Sequence, residues 1–164
     1  AEVNEKFFKA LFIDVGLSTT MLGLGLQHIK DIDEIALVNN GAIAEQVVGQ
    51  LLRTLFPNYV EPQLFYWQRE KKGSDAEIDY IIQHQTNVIP VEVKAGTSGS
   101  LKSLHLFMGL RGYQIAVRIN SDLPSLGRIS VVNSLGDSVE YTLLSIPIYL
   151  ISQLHPLLDS LIKK

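Results

Sequence analysis

Apolar residues recur every three to four positions in residues 41–56, GAIAEQVVGQLLRTLF. This spacing forms one apolar stripe along a helix, which is typical of a helix that packs on a sheet. Asn40 is a suitable N-cap residue, and Pro57 is a suitable terminator. The stripe consists of Ala44, Val47, Val48, Leu51, Leu52 and Leu55. We therefore predict an amphipathic helix over residues 41–56.

From Leu64 onward the chain consists of short apolar runs instead. The runs LFYWQRE, EIDYIIQ and VIPVEVKAG are each of strand length. They are separated by KKGSDA and HQTN, which are rich in turn-forming residues. Three strands joined by two short turns predict an antiparallel meander.

The remaining segments alternate between strand-like and helix-like patterns. A helix is predicted over residues 101–112, after TSGS, and strands over residues 113–120 and 127–133. Elsewhere we predict a strand at 10–16, a short helix at 17–29, a connector at 30–40, a loop at 121–127 and a helical end at 145–164 that Pro156 interrupts. This alternation predicts a mixed α/β sheet with helices packed on it.

Composition narrows the classes of protein. The 164 residues are 46% hydrophobic and 19% charged, which suits one globular domain. The net charge of -3 provides no broad basic surface, so any nucleic-acid contact is expected to be local. The absence of cysteine excludes disulfide and thiolate chemistry and leaves carboxylates and histidines as metal ligands. No apolar run reaches the roughly 20 residues of a membrane span, and we expect a soluble, cytoplasmic protein.

Charged residues interrupt the second and third predicted strands. Side chains alternate between the two faces of a strand, so Glu92 and Lys94 share one face while the neighbouring valines share the other. If the strands pair across the HQTN turn, Asp79 faces these two residues. We expect the three side chains to converge on one face of the sheet.

Two interpretations of this pattern remain open. In the first, the carboxylates lie on the solvated face of a hairpin, and Lys94 is a surface ion partner worth about 0–1 kcal/mol. In the second, two repelling carboxylates bind a divalent cation through their oxygens. A cation there would polarise a phosphoryl oxygen and lower the pKa of a bound water, while the lysine orients that water or stabilises developing charge. This second set of roles suits phosphodiester hydrolysis.

Glu45 is a fourth candidate residue. It lies at the edge of the apolar stripe, one turn from Val48, and could point into a cleft of the sheet. It could equally be an acid in the first helical turn, stabilised by the helix dipole. The pattern alone leaves both interpretations open.

Other conspicuous residues receive simpler interpretations. Packing in the sheet is favoured over base stacking for Trp67. N-capping by Ser98 or Ser100 is favoured over phosphate binding at TSGS. The four histidines have no ligand-like spacing, and we assign no role to His28, His84, His105 and His155.

The order Glu45, Asp79 and Glu92-Val93-Lys94 resembles that of the PD-(D/E)XK nuclease superfamily, which has the restriction-endonuclease-like fold. More closely, FIDVGL, GAIAEQVVGQLL, YWQREKKGSDAEIDYII and IPVEVKAG resemble the domain of unknown function at the carboxyl end of bacterial and archaeal AAA+-type ATPases. This resemblance runs over residues 8–149. It implies a restriction-endonuclease-like mixed central sheet of about four to five strands flanked by helices.

The resemblance also implies roles and partners. Asp79, Glu92 and Glu45 would hold Mg²⁺ or Mn²⁺, and Lys94 would be the catalytic lysine. DNA would be a partner, together with an ATPase domain upstream in the same native chain; no membrane partner is implied. Residues 1–38 would then be a strand-helix segment that packs on or links to the ATPase, and residues 39–164 a nuclease-like domain. The lack of an initial methionine leads us to expect a piece of a longer protein.

Three functions are therefore considered for this chain. The first is a metal-dependent nuclease, the second a non-catalytic interaction module that regulates an attached ATPase, and the third a nucleic-acid-binding module without cleavage. The acidic residues and lysine favour the first over the second, since a scaffold does not require them. The negative net charge counts against the first and the third.

Overall fold

A computed structural model describes residues 6–21, 35–69, 75–96 and 99–162, and for residues 35–40 it describes the backbone alone. The described helices are α1 (Val15–Met21), α2 (Ile35–Arg53), α3 (Lys102–Arg111) and α4 (Leu154–Ile162), with a 3₁₀ helix at Ile148–Gln153. The strands are β1 (Phe65–Arg69), β2 (Ala76–His84), β3 (Asn87–Val93), β4 (Ile115–Asn120), β5 (Ser125–Val132) and β6 (Ser138–Pro147). None of the described helices combines the length and the hydrophobicity that crossing a membrane requires.

The strands form one six-stranded mixed sheet in the order β1-β2-β3-β4-β6-β5. The first three strands form the predicted antiparallel meander. β4 runs parallel to β3 and to β6, and β5 closes the far edge antiparallel to β6. The parallel step from β3 to β4 requires a crossover connection, which contains α3. The mixed α/β class is thus confirmed, with six strands instead of four to five.

Helices cover both faces of this sheet. The α2-side core lies under α2, the 3₁₀ helix and α4, and it contains Val48, Leu52, Tyr80, Ile82, Ile89, Val91, Val93, Val117, Ile119, Leu144, Ile146, Ile151, Leu154 and Leu158. The α3-side core contains Ile78, Leu104, Phe107, Met108, Ala116, Val139, Tyr141 and Leu143. Trp67 packs against this second core, with its ring centroid 5.0 Å from that of Phe107, which agrees with the packing role predicted for it.

The predicted strand at residues 10–16 is wrong. Residues 7–14 form no strand, and α1 begins at Val15. Two glutamines of α2 form hydrogen bonds with the backbone of this segment. Gln46 accepts from the Phe12 N–H through Oε1 and donates to the Ala10 carbonyl through Nε2. Gln50 donates to the Phe12 carbonyl at 2.7 Å. The segment therefore lies along α2, where side chains satisfy the backbone groups that a sheet would otherwise pair.

The predicted start of the main helix is also wrong. α2 begins at Ile35, so Asn40 lies inside the helix and is not its N-cap, and residues 35–40 do not form a connector. The stretch Ile-Ala-Leu-Val before Asn40 contains no glycine or proline, so nothing in it prevents an earlier helical start. Residues 30–34 of the predicted connector lie outside the described part of the chain, as do residues 22–29 of the predicted short helix and residues 71–74 of the KKGSDA turn.

Two predictions near the C-terminus are corrected as well. Ser125–Gly127 belongs to β5 and not to a loop, and residues 145–147 belong to β6, which the sequence pattern missed. β6 pairs on both sides, with β4 and β5, so ladder bonds determine its conformation. Pro156 lies in the first turn of α4, where an N–H has no intrahelical partner, so it does not interrupt the helix.

A pair of histidines ties α4 to the β2–β3 hairpin. His84 Nε2 lies 2.8 Å from Asp159 Oδ1, and His84 Nδ1 lies 2.7 Å from His155 Nδ1. A carboxylate only accepts hydrogen bonds, so His84 donates through Nε2, and in its neutral form it accepts from His155 through Nδ1. Sequence reasoning assigned no role to these histidines because they are far apart in the chain.

We expect this histidine pair to make folding sensitive to acid. Burial and the neighbouring His84, opposed by Asp159, hold the pKa of His155 below its usual 6.5. A histidine with a lowered pKa favours the folded state when neutral, so its contribution is lost as the pH falls below about 6.5. Urea unfolding at pH 7 and pH 5 should show a smaller acid-induced loss for His155→Gln than for the wild type. Gln153→Ala, at an exposed position nearby, serves as the control. Parallel pH profiles for the wild type and His155→Gln would contradict this expectation.

Candidate functional site

The alternation of β2 breaks at Asp79. Trp67 of β1 pairs with Ile78, and Phe65 pairs with Ile81. Two steps along β1 therefore correspond to three steps along β2, so β2 contains one extra residue between Ile78 and Ile81. Ile78 packs in the α3-side core and Tyr80 in the α2-side core. Pairing of β2 with β3 begins at Tyr80, opposite Val91. Asp79 is therefore the residue at which β2 and β3 separate.

The side chain of Asp79 replaces the missing ladder bond at this fork. Its Oδ2 accepts a hydrogen bond from the Val93 backbone N–H at 2.7 Å, and the residue is only 9% exposed. Burial and the negative charge of Glu92 raise the pKa of Asp79 to about 7, against the opposing effect of the Val93 bond. Asp79 is thus fixed in position close enough to Glu92 for their charges to interact.

Glu92 and Lys94 form the second half of the site. Lys94 Nζ donates to Glu92 Oε1 at 2.7 Å, while Glu92 Oε2 is buried without a partner. Burial raises the pKa of Glu92, and the bond to Lys94 opposes this rise. Because Val91 and Val93 belong to the α2-side core, Glu92 points towards the opposite, α3 face. Glu92 and Lys94 share this face by strand alternation, as predicted, whereas Asp79 joins them at an irregular position.

Glu45 lies on the other side of the fork and is paired with a lysine that sequence reasoning did not single out. Lys9 Nζ lies 2.9 Å from Glu45 Oε2 and 3.0 Å from Glu77 Oε1. It also sits 5.3 Å from the ring centre of Tyr80, whose hydroxyl donates to the Glu45 carbonyl at 2.8 Å. Burial opposes the charge of Lys9, but its bonds to the two carboxylates raise its pKa well above the usual range. Glu45 in turn contributes to the raised pKa values of Asp79 and Glu92.

The arrangement bears directly on metal binding. Within the described ranges, no group of three or more carboxylate, histidine or cysteine side chains is arranged to hold a metal ion. Glu45 is engaged with Lys9, which leaves Asp79 and Glu92 as the pair of buried carboxylates. Mg²⁺ is commonly held by one or two carboxylates, with water and substrate phosphate filling its other positions. The unpartnered Glu92 Oε2 and the raised pKa of Asp79 fit such a two-carboxylate site.

Comparison with known proteins places the chain in a family. A family model described as a domain of unknown function, DUF4143, matches residues 40–135, which is more than half of the chain. The chain belongs to the DUF4143 family. The match includes Glu45, Asp79, Glu92 and Lys94. No curated protein and no solved structure matches the chain.

Two features of this DUF4143 site could not have been found from spacing. Lys9 precedes Glu45 by 36 positions in an irregular segment, and no motif connects them. The irregularity at Asp79 has no glycine or proline to indicate it. The predicted N-capping by Ser100 is wrong, because the N-cap of α3 is Leu101, and Ser100, one residue earlier, accepts from the Lys102 N–H through Oγ at 3.3 Å. Ser98 lies outside the described residues.

We expect Asp79→Asn to stabilise the metal-free protein at alkaline pH. A carboxyl group with a raised pKa destabilises the fold when ionised, so the wild type loses stability as the pH rises from about 4 to about 7. Asparagine can still accept the Val93 N–H without a charge. Its advantage should be near zero at pH 4 and on the order of 2 to 4 kcal/mol at pH 8.

Chemical denaturation in EDTA across this pH range measures the effect. Asp75→Asn, an exposed position just before β2, is the matched control and should show little change. A constant difference between Asp79→Asn and the wild type at all pH values would show that Asp79 does not titrate abnormally.

Proposed function

We propose that this DUF4143 domain is a Mg²⁺- or Mn²⁺-dependent phosphodiesterase that acts on DNA, with the reaction class of PD-(D/E)XK nucleases. One observation supports this above all. Two buried carboxylates, Asp79 and Glu92, lie close together beside a lysine, and one of their oxygens has no partner. A domain that needed only to be stable would gain from apolar residues at these positions.

The two carboxylates are suited to holding a divalent cation. Their mutual repulsion and burial disfavour the charged forms, and a bound cation would offset both effects. Val93 orients Asp79 through Oδ2, which leaves Oδ1 available, and Glu92 offers Oε2. The cation would supply Lewis-acid stabilisation of the phosphoryl group and a bound water of lowered pKa.

Lys94 has a different task in this proposal. Its side chain is 25% exposed and its ammonium group is fixed by Glu92 Oε1, so Lys94 lies at the more open side of the carboxylate pair. From there it orients the attacking water and stabilises the negative charge that develops on the phosphate. Glu45 acts as an auxiliary acid, which interacts with the site through its charge or through a shared water.

A second function, an interaction module, is favoured by the N-terminal segment. Phe8, Ile13 and Met21 are 82%, 99% and 77% exposed in this segment and α1. Exposed apolar side chains grouped in one segment are typical of contact surfaces. In the context of the AAA+-type ATPases that the sequence resembles, this segment would contact an ATPase domain of the same native chain, and the domain would position or regulate that ATPase.

Glu92→Gln should abolish the response to metal. The substitution keeps the shape of the side chain but removes a charge that the cation requires. Thermal melts should show that the Mg²⁺-dependent rise in melting temperature disappears, while the variant remains folded without metal. Nicking of plasmid DNA should fall by at least about 100-fold. Glu140→Gln, on the exposed edge pair with Arg128, is the control that should retain both properties.

Lys94→Met should separate binding of the cation from catalysis. The lysine acts on water and phosphate, so the Mg²⁺-dependent melting shift should persist while nicking falls by at least about 100-fold. Lys102→Met, at an exposed position in α3, is the matched control. A wild-type protein that shows neither a metal-dependent shift nor cleavage would instead favour the interaction module.

A further inference from the structure

A polar row extends from the candidate site across the parallel strands. Glu92 of β3 pairs with Arg118 of β4, and Arg118 pairs with Ser145 of β6. The residues that flank Arg118 and Ser145 along their strands belong to the α2-side core: Val117, Ile119, Leu144 and Ile146. Side chains alternate along a strand, so Arg118 and Ser145 face the α3 side together with Glu92. The three residues thus form one row on the face that carries Lys94.

Arg118 is positioned within this row without a counter-ion. Its Nε donates to the Oγ of the buried Ser145 at 3.1 Å. Among the described residues Arg118 forms no ion pair. On the adjacent strand, Glu92 Oε1 is bound by Lys94, and Glu92 Oε2 has no partner. The terminal nitrogens of this half-buried guanidinium therefore lack an acceptor in the described protein.

Tyr141 provides a separate indication that these groups share one site. Besides burial, which has the larger effect, the charge of Glu92 raises the pKa of Tyr141 and that of Arg118 lowers it. Both charges are therefore close to the Tyr141 hydroxyl. This hydroxyl lies 3.0 Å from His105 Nδ1 of α3, which borders the row on the side of the helix.

We propose that Arg118 binds a phosphate of the DNA backbone beside the phosphodiester that Asp79, Glu92 and Lys94 act on. The half-buried guanidinium has open terminal donors, and its planar fork matches two phosphate oxygens at once. Ser145 holds Nε, so the two terminal nitrogens are the donors that remain for a ligand. Lys94 lies diagonally across from Arg118 on the same face, so both cations lie beside Glu92. This inference rests on the proposed function for its substrate.

Binding of a short DNA duplex and of its single strand, each fluorescently labelled, tests the assignment. Ca²⁺ replaces Mg²⁺ so that binding is measured without turnover. Arg118→Met should weaken binding by roughly 10- to 100-fold at moderate salt. It should also reduce the slope of log affinity against log salt by about 0.9 for the duplex, or about 0.7 for the single strand, since one phosphate contact is lost. A purely structural effect would not change the salt slope.

Two variants provide the controls. Arg128→Met removes an arginine that is 78% exposed and already paired with Glu140 on the edge strand, and it should change affinity less than about twofold. Arg118→Lys keeps the charge but not the two-pronged geometry, so it should keep the salt slope and lose several-fold in affinity. If Arg118→Met does not fold, as judged by thermal melting, Arg118→Lys still tests the proposal through its affinity.

The possible outcomes separate this inference from the proposed nuclease function. If the wild type binds Mg²⁺ and cleaves DNA, but Arg118→Met and Arg118→Lys bind as tightly as the wild type, Arg118 is not a phosphate ligand although the function stands. If the wild type binds DNA through Arg118 but neither binds Mg²⁺ nor cleaves, the phosphate contact stands and the nuclease function is wrong. A wild type that binds neither form of DNA overturns the inference about Arg118.

Discussion

The bond from the Val93 N–H to the Asp79 carboxylate is the interaction on which the candidate site depends. It lies where β2 and β3 stop pairing, and it satisfies a backbone donor that would otherwise be buried and unpaired. Because the acceptor is a side chain and not a backbone carbonyl, the strands can separate while staying connected. Because the strands separate, the Asp79 carboxylate lies between them, close to Glu92. In a continuous ladder, backbone groups would occupy this place. The same aspartate therefore satisfies the Val93 N–H and supplies a carboxylate to the candidate site.

The acidic groups around this fork are balanced by two lysines from different parts of the chain. Lys94 directly follows β3, two residues after Glu92, and its ammonium group neutralises one oxygen of Glu92. Lys9 comes from the N-terminal segment that Gln46 and Gln50 hold along α2, and it bridges Glu45 and Glu77. The negative charge is not fully neutralised, since the pKa of Asp79 stays raised and one oxygen of Glu92 has no partner. These are the two positions at which a cation would bring the largest electrostatic gain.

The direction of the strands determines what surrounds the carboxylates. β3, β4 and β6 are parallel, so the residues that pair between neighbouring strands form rows across the sheet. The row through Glu92 is polar, whereas the row two residues earlier includes Ala116 and Leu143 of the α3-side core. The polarity of the α3 face therefore changes within a few residues along each strand. This change separates the part of the face that belongs to the α3-side core from the part that carries the candidate site.

The amino-acid sequence by itself determined the meander, the amphipathic character of α2, the mixed α/β class and the four residues singled out as a candidate site. These features are local, because period, turn composition and strand alternation are each contained within a few neighbouring residues. Only the tertiary structure decided that residues 10–14 follow α2, that β6 is a strand, that Lys9 engages Glu45, and that His84 reaches His155. In each case the partner is distant in sequence, and its bonds outweigh a local preference that is worth only a few tenths of a kcal/mol per residue. Asp79 belongs to both groups: strand pairing across the turn predicted that it faces Glu92 and Lys94, but its burial and its bond to Val93 depend on the fork that β2 and β3 form together.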